Sequence, residues 1–237
     1  MSTRRRISRA SGLVLGALSI LALSACSGTD EPVSTGKSPA EVMALAKDKL
    51  DTTTGLHLSL KTDNLPDGVT GIKAAEGVAN HEPAFDGKIT VVLSGQAVEV
   101  PVIAVDGKVH VQLPLTPGWQ DIDPGDYGAP DPAQLMSPDA GFSALLPATT
   151  GLADGGSVRG GVDNKEVLTK YTGSVPDTAV ANVIPTAHGA FEAAYTITAS
   201  GELRQAELTG DFYDNGSSMT YTVGFDEYGT QTDISAP

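Results

Sequence analysis

The chain of 237 residues is strongly acidic: 29 aspartates and glutamates against 15 lysines and arginines give a formal net charge of −14. So negative a surface offers no cationic patch for phosphates, which argues against nucleic acid as a partner. The single cysteine excludes intrachain disulfides and cysteine-based zinc sites, and the length suits one β-rich domain.

The N-terminus has the pattern of a secretory signal peptide, which we predict over residues 1–25. Four arginines precede an apolar stretch from Leu13 to Leu23, which is too short for a membrane span of about 20 residues. Small residues then lead to Ala25-Cys26 in the form of a bacterial lipobox, which predicts cleavage between these two residues and a lipid on Cys26. We therefore expect a protein anchored by lipid on the outer face of the plasma membrane. Its mature chain would carry 11 basic and 29 acidic residues, a net charge of −18, because the four arginines are removed.

Residues 26–37 are rich in serine, glycine, threonine and proline and form the predicted tether. Ser38-Pro39-Ala40-Glu41 then matches a capping box and predicts the start of a first helix. The apolar residues that follow, from Val42 to Leu50, recur on one side of that helix. From this point residues 38–237 are predicted to form a single domain.

Beyond position 55 apolar residues recur at every second position, which is the period of a half-buried strand. The predicted strands cover residues 56–60, 89–93, 98–104, 109–113, 157–162, 167–173, 193–199, 203–211, 219–225 and 230–234. Asp106-Gly107 marks a hairpin, and short helices are expected from Asp131, from Ser137 and over 176–184. This order predicts an α+β fold in which a long, curved antiparallel sheet carries helices on its concave face.

No recognised catalytic or metal-binding motif occurs, so no catalytic residue, cofactor or metal ligand is predicted. His57 and His110 could form a metal-binding pair across neighbouring strands, but their outward, polar positions favour solvent-exposed strand residues. Three aspartates between positions 121 and 126 resemble a calcium loop, yet Pro132 stands where the loop needs its glutamate, which favours a turn. Trp119, the only tryptophan, is interpreted either as a core residue at a strand start or as part of a pocket mouth.

The centre of the chain resembles a known family. The likeness is carried by Gly118-Trp119, Asp123-Pro124, Tyr127, Asp131-Pro132-Ala133-Gln134, Ser137-Pro138-Asp139-Ala140-Gly141-Phe142 and Leu145-Leu146. Together with the lipobox, the capped first helix and the Asp106-Gly107 hairpin, this block is similar to the LppX/LprA/LprF/LprG family of actinobacterial lipoproteins, especially its LprG-like members. The resemblance implies a half-barrel shaped like the bacterial Lol carriers. It also implies an apolar cavity, between sheet and helices, for the acyl chains of glycolipids or acylglycerols.

The function that the resemblance implies is lipid binding and transfer in the cell envelope, without catalysis, with a major-facilitator-type exporter as a partner. Aromatic residues make up only 5% of the chain, so a large β core has few bulky side chains to fill it. The candidate cavity-lining residues are Leu58, Leu60, Val91, Leu93, Val100, Val102, Val109, Val111, Tyr195, Ile197, Tyr221 and Val223.

Three alternatives remain open at this point. The same twelve residues could form an ordinary solid core with no cavity. The protein could instead be an envelope sensor or scaffold that binds a protein partner through the sheet. A hydrolase of envelope lipids is the third possibility, although the sequence contains no nucleophile motif for it.

Overall fold

The computed structural model describes residues 36–127 and 129–237. The predicted signal peptide, Ala25, Cys26 and nearly all of the predicted tether lie outside these residues. The α-helices of the described chain are α1 (Pro39–Thr52), α2 (Phe142–Ala148) and α3 (Asp177–Val180), and short 3-10 helices span Pro124–Tyr127, Pro132–Met136 and Val162–Asn164. None of the described helices combines the length and the apolar character needed to cross a bilayer.

In the described residues, eleven antiparallel strands form one curved sheet. They are β1 (Gly55–Lys61), β2 (Gly71–Asn80), β3 (Ala84–Leu93), β4 (Gln96–Val105), β5 (Lys108–Val111), β6 (Gln120–Ile122), β7 (Thr150–Gly160), β8 (Glu166–Val175), β9 (His188–Ile197), β10 (Leu203–Asp211) and β11 (Met219–Asp226). Their order is β6-β5-β4-β3-β2-β1-β11-β10-β9-β8-β7. β1 and β11 therefore pair in the middle, and each half of the sheet is a meander of consecutive strands.

The strand order requires the chain to cross from one edge of the sheet to the other between β6 and β7. β6 and β7 form opposite edges of the sheet, and neighbouring strands are about 4.8 Å apart, so a flat sheet would separate the edges by about 48 Å. The segment between Ile122 and Thr150 must span that separation, and it does so with the two 3-10 helices at 124–127 and 132–136 followed by α2. The predicted fold class, a curved antiparallel sheet wrapped around a few short helices, is confirmed.

The capping box at the start of α1 forms as the sequence predicts. The Glu41 amide donates to the Ser38 hydroxyl at 3.3 Å, and the Ser38 amide donates to the Glu41 carboxylate at 2.7 Å. These bonds satisfy backbone donors that have no partner inside the helix. One face of α1, from Val42 to Leu50, is then almost completely buried.

The two halves of the sheet are covered differently. α1 packs against α2 and against β7 and β10, so the β7–β11 half has a solid core. In contrast, the 3-10 helix at 132–136 lies over β2, β3 and β4. A short 3-10 helix presents few side chains, and the β1–β6 half is therefore covered only thinly.

Two predicted elements differ from the structure at the C-terminal side. The predicted strand at 230–234 is wrong, because β11 already has β1 and β10 on its two sides and leaves no edge for another strand. This segment instead runs past the strand ends. There the Thr54 hydroxyl donates to the Thr230 carbonyl at 3.2 Å, and the side-chain amide of Asn80 donates to the Thr232 carbonyl at 3.3 Å. The predicted helix at 176–184 is α-helical only over Asp177–Val180, and turns follow it up to Pro185.

Other strands were missed or misplaced at their ends. β2 was not predicted, because its sequence GIKAAEGVAN has no regular alternation of large apolar residues. The strand expected at 109–113 ends at Val111, and the one expected to begin at 157 already begins at Thr150. Hydrogen-bonded pairing with a neighbouring strand determines where a strand begins and ends, and the periodicity of side chains does not predict that pairing.

Candidate functional site

A cavity of about 340 Å³ lies under the β1–β6 half of the sheet, within the range of about 300–1,000 Å³ that small-molecule pockets occupy. Inward-facing valines, leucines and isoleucines of β1 and β3–β6 form its wall. Pro132 and Leu135 of the 3-10 helix and Phe142 of α2 lie on the opposite side. Within the described chain no charged side chain lines this cavity.

Ten of the twelve predicted lining residues border the cavity. They are Leu58, Leu60, Val91, Leu93, Val100, Val102, Val109, Val111, Tyr221 and Val223. Tyr195 and Ile197 also face inward, but they lie in the solid core of the other half, where each is at most 1% exposed. The Tyr195 hydroxyl lies 2.9 Å from the Thr149 hydroxyl at the end of α2, so helix packing occupies the space beside it. Lipid contact stays a prediction for all twelve residues.

The cavity opens to the surface at one end of the sheet. Leu93 at the end of β3, Leu113 after β5 and Tyr127 in the first 3-10 helix all line it, yet these residues are 42%, 38% and 60% exposed. Trp119, which precedes β6, is half-buried. These three side chains therefore border the way into the cavity.

Several cavity residues were not identified from the sequence. Ile72 and Ala75 belong to β2, whose strand character has no clear pattern in the sequence. Leu135 belongs to a predicted short helix, but nothing in a single sequence says which sheet half that helix covers. Val183 and Ile184 also line the cavity, and their place on the apolar side of the helix predicted at 176–184 was a usable signal.

Two tyrosines fix the start of β2 in the cavity wall. The Ile72 amide donates to the Tyr213 hydroxyl at 3.1 Å, and the Tyr221 hydroxyl donates to the Ile72 carbonyl. The two hydroxyls are 2.6 Å apart, so Tyr213 donates to Tyr221 and every polar atom of the set has a partner. Burial, reinforced by the neighbouring Tyr213, raises the pKa of Tyr221 above its ordinary range. The set therefore supplies polar bonds inside an apolar wall without adding a charge.

We expect Tyr221→Phe to lower the free energy of unfolding by about 2 kcal/mol, because the Ile72 carbonyl and the Tyr213 hydroxyl lose a buried partner. Urea titration measures this difference, and Tyr127→Phe at an exposed tyrosine is the control. Because folding raises the pKa of Tyr221, the contribution of its hydroxyl to the free energy of unfolding is complete below about pH 10 and declines above it. A variant as stable as wild type at pH 7 would show that the hydrogen bonds contribute nothing.

The remaining polar candidates do not form a reactive site. His57 and His110 lie on β1 and β5, which are separated by three strands, so the possible pair across neighbouring strands is wrong. His110 is also buried rather than exposed: its Nδ1 lies 2.6 Å from a carboxylate oxygen of Asp121 on β6. Asp123 accepts from the Gly125 amide at 2.9 Å, which is the role of a turn former. In the described ranges no group of three or more His, Cys, Asp or Glu side chains could hold a metal ion.

The sheet and its cavity define a class of protein: an open antiparallel half-barrel with an uncharged hollow on its concave side. The chain belongs to the LppX_LprAFG lipoprotein family, whose pattern matches residues 38–234, and the family predicted from the sequence is confirmed. A comparison with functionally curated proteins finds no match to this chain.

Two solved structures share the fold. LprF from Mycobacterium bovis has 11% sequence identity, with 84% of this chain and 96% of that chain covered and a TM-score of 0.66. The lipoprotein LppX from Mycobacterium tuberculosis has 18% identity, with 83% of this chain and 98% of that chain covered and a TM-score of 0.60. At these identities the likeness concerns the course of the backbone.

Proposed function

We propose that the protein binds acylated lipids, either glycolipids or acylglycerols, in this cavity and transfers them within the cell envelope without catalysing a reaction. The observation that carries the proposal is the open cavity of about 340 Å³, whose described lining contains no charged side chain. A polar ligand would lose its hydrogen bonds to water there and gain few in return, which is costly. An acyl chain has no such bonds to lose.

The energetics of an apolar cavity suit a carrier. Burying one methylene contributes about 0.8 kcal/mol, so a chain of about 16 carbons gains on the order of 10 kcal/mol on transfer from water. Transfer from a bilayer gains almost nothing, because lipid tails are as apolar as the side chains of the cavity. Lipid would therefore leave the cavity for a membrane as readily as it enters, while it is held firmly against loss to water.

Native mass spectrometry of the protein purified from its own host tests the proposal. We expect a species heavier than the covalent chain, and denaturing extraction should release an acylated lipid of the missing mass. Identical native and denatured masses, with no acyl lipid in the extract, would refute the proposed function.

Attachment to the membrane through Cys26 is part of the same proposal. Because Cys26 is the only cysteine and ends the lipobox, Cys26→Ala should release the protein from membranes or leave an uncleaved precursor. Cell fractionation and the mass of the N-terminal peptide measure both results. Ser27→Ala, one residue further on, is the matched control and should change neither. Normal processing and unchanged attachment of the Cys26→Ala protein would contradict the anchor.

The proposal also includes a membrane protein that works with the carrier. We propose a major-facilitator-type exporter in this role, and the support for it is the family to which the chain belongs. Crosslinking in the native membrane, followed by identification of the captured partner, tests this part. Capture of other membrane proteins without any such exporter would count against it.

A further inference from the structure

Four large apolar side chains stand out as exposed in the described part of the chain. Leu93, Leu113 and Tyr127 border the cavity opening, and Leu115 lies two residues after Leu113 with a side chain that is fully exposed at 105%. We call these four residues the rim. An apolar patch beside an opening marks a contact surface more often than a solitary exposed leucine does.

Leu115 has a backbone conformation that leucine disfavours. Its φ angle is 68°, in the left-handed region that suits glycine, asparagine or aspartate much better than residues with bulky side chains. A fully exposed side chain gains nothing from packing within its own fold. The leucine therefore lowers local stability without any internal compensation, which points to a role in contact with another surface.

The two segments that carry the rim leucines, each a turn or loop with the adjoining strand ends, contain no charged residue. Residues 89–98 and 111–120 are free of Asp, Glu, Lys and Arg, although charged residues make up 19% of the chain. The neighbouring loop between β1 and β2, in contrast, carries Asp63 and Asp67. Charged side chains are costly to place in lipid, and these two segments contain none.

We propose that the rim inserts into the surface of a lipid bilayer, so that the cavity opens directly onto the membrane. A membrane is favoured over a protein partner because three of the four rim residues also line the cavity. A lipid tail could then pass between bilayer and cavity without crossing water. Tyr127 suits the headgroup level, where tyrosine is enriched. Because the protein is acidic, insertion depends on apolar contact and should be weaker on anionic than on zwitterionic vesicles.

Trp119 provides a reporter within the chain, since it is the only tryptophan and lies in the same loop as Leu115. The full lipidated protein is reconstituted in phosphatidylcholine vesicles that contain brominated acyl chains, which quench tryptophan only at close range. We expect Trp119 to be quenched in wild type and quenching to fall at least about twofold in Leu115→Asp. Aspartate tolerates the left-handed backbone, so this variant should fold. Gln231→Asp adds the same charge at the opposite end of the sheet and should match wild type.

Val102→Phe separates insertion of the rim from brominated lipid bound inside the cavity. Phenylalanine narrows the cavity and should lower the content of bound lipid, which extraction of the same sample measures. Quenching that stays at the wild-type level while the lipid content falls arises from the bilayer, whereas quenching that falls with the lipid content arises from bound lipid and overturns the inference. Absence of quenching in wild type, or equal quenching in Leu115→Asp, also overturns it. The inference rests on the proposed function only for the reason why the rim inserts. If the protein inserted its rim but carried no acyl lipid, the proposed function would be refuted and the inference of insertion would be supported.

Discussion

Val102→Trp should reduce the acyl lipid that co-purifies with the protein at least about tenfold. Val102 is 2% exposed, lines the cavity and lies between Gly87 of β3 and Val111 of β5 in the sheet. An indole in its place projects into space that an acyl chain would need, and each displaced methylene forfeits about 0.8 kcal/mol. Because the added volume enters a cavity rather than a filled core, the fold should tolerate the change better than ordinary overpacking.

Ile103→Trp is the control for this experiment. Ile103 is the next residue on β4, half-buried on the opposite, convex face of the sheet. The same indole there should leave lipid content unchanged, and thermal melting should show that both variants fold. Wild-type amounts of lipid in folded Val102→Trp would show that the ligand does not occupy this cavity.

Gly87→Ala should have the largest effect on stability, a loss of about 2–3 kcal/mol. Gly87 of β3 pairs with Gly77 of β2, and the Phe85 ring covers both in the cavity wall. A methyl group at position 87 would lie 2.7 Å from the Gly77 Cα and 2.7 Å from the tip of the Phe85 ring. Moving paired backbone costs free energy. The variant must nevertheless displace either the β2–β3 pair or the Phe85 ring.

Urea unfolding of Gly87→Ala and of Gly155→Ala provides the comparison. Gly155 lies on the exposed edge strand β7, where an added methyl group would meet its nearest neighbour, the Lys170 carbonyl oxygen, at 3.2 Å. We expect Gly155→Ala to stay within about 1 kcal/mol of wild type. Equal stability of the two variants would mean that the glycine pair is not required by the packing of Phe85.

Periodicity predicted the inward face of the sheet well, but not what covers that face. Val100 and Val102 on β4 and Tyr195 on β9 show the same alternation, and all three face inward. The first two border a cavity, whereas Tyr195 meets α2 through Thr149. The difference arises from where α1 and α2 pack, and that depends on contacts between residues far apart in the sequence.

Strand pairing, like the packing of the helices, could not be predicted from the pattern of residues along the sequence. β2 consists largely of small residues, and it is a strand because β1 and β3 pair with it on both sides. The segment at 230–234 has the composition of a strand but finds no partner, because β1 and β10 already occupy both sides of β11. Local propensity is weaker than the availability of a hydrogen-bonding neighbour.

The pairing of β1 with β11 has a consequence for how the chain folds. Ribosomes make β1 long before β11, its neighbour on one side, so the two meanders cannot join until β11 has been made. Contacts of such wide sequence separation form slowly. Until then the apolar inner face of the nascent polypeptide is exposed to water and can cause aggregation. A chaperone that binds this face during biogenesis would reduce that aggregation.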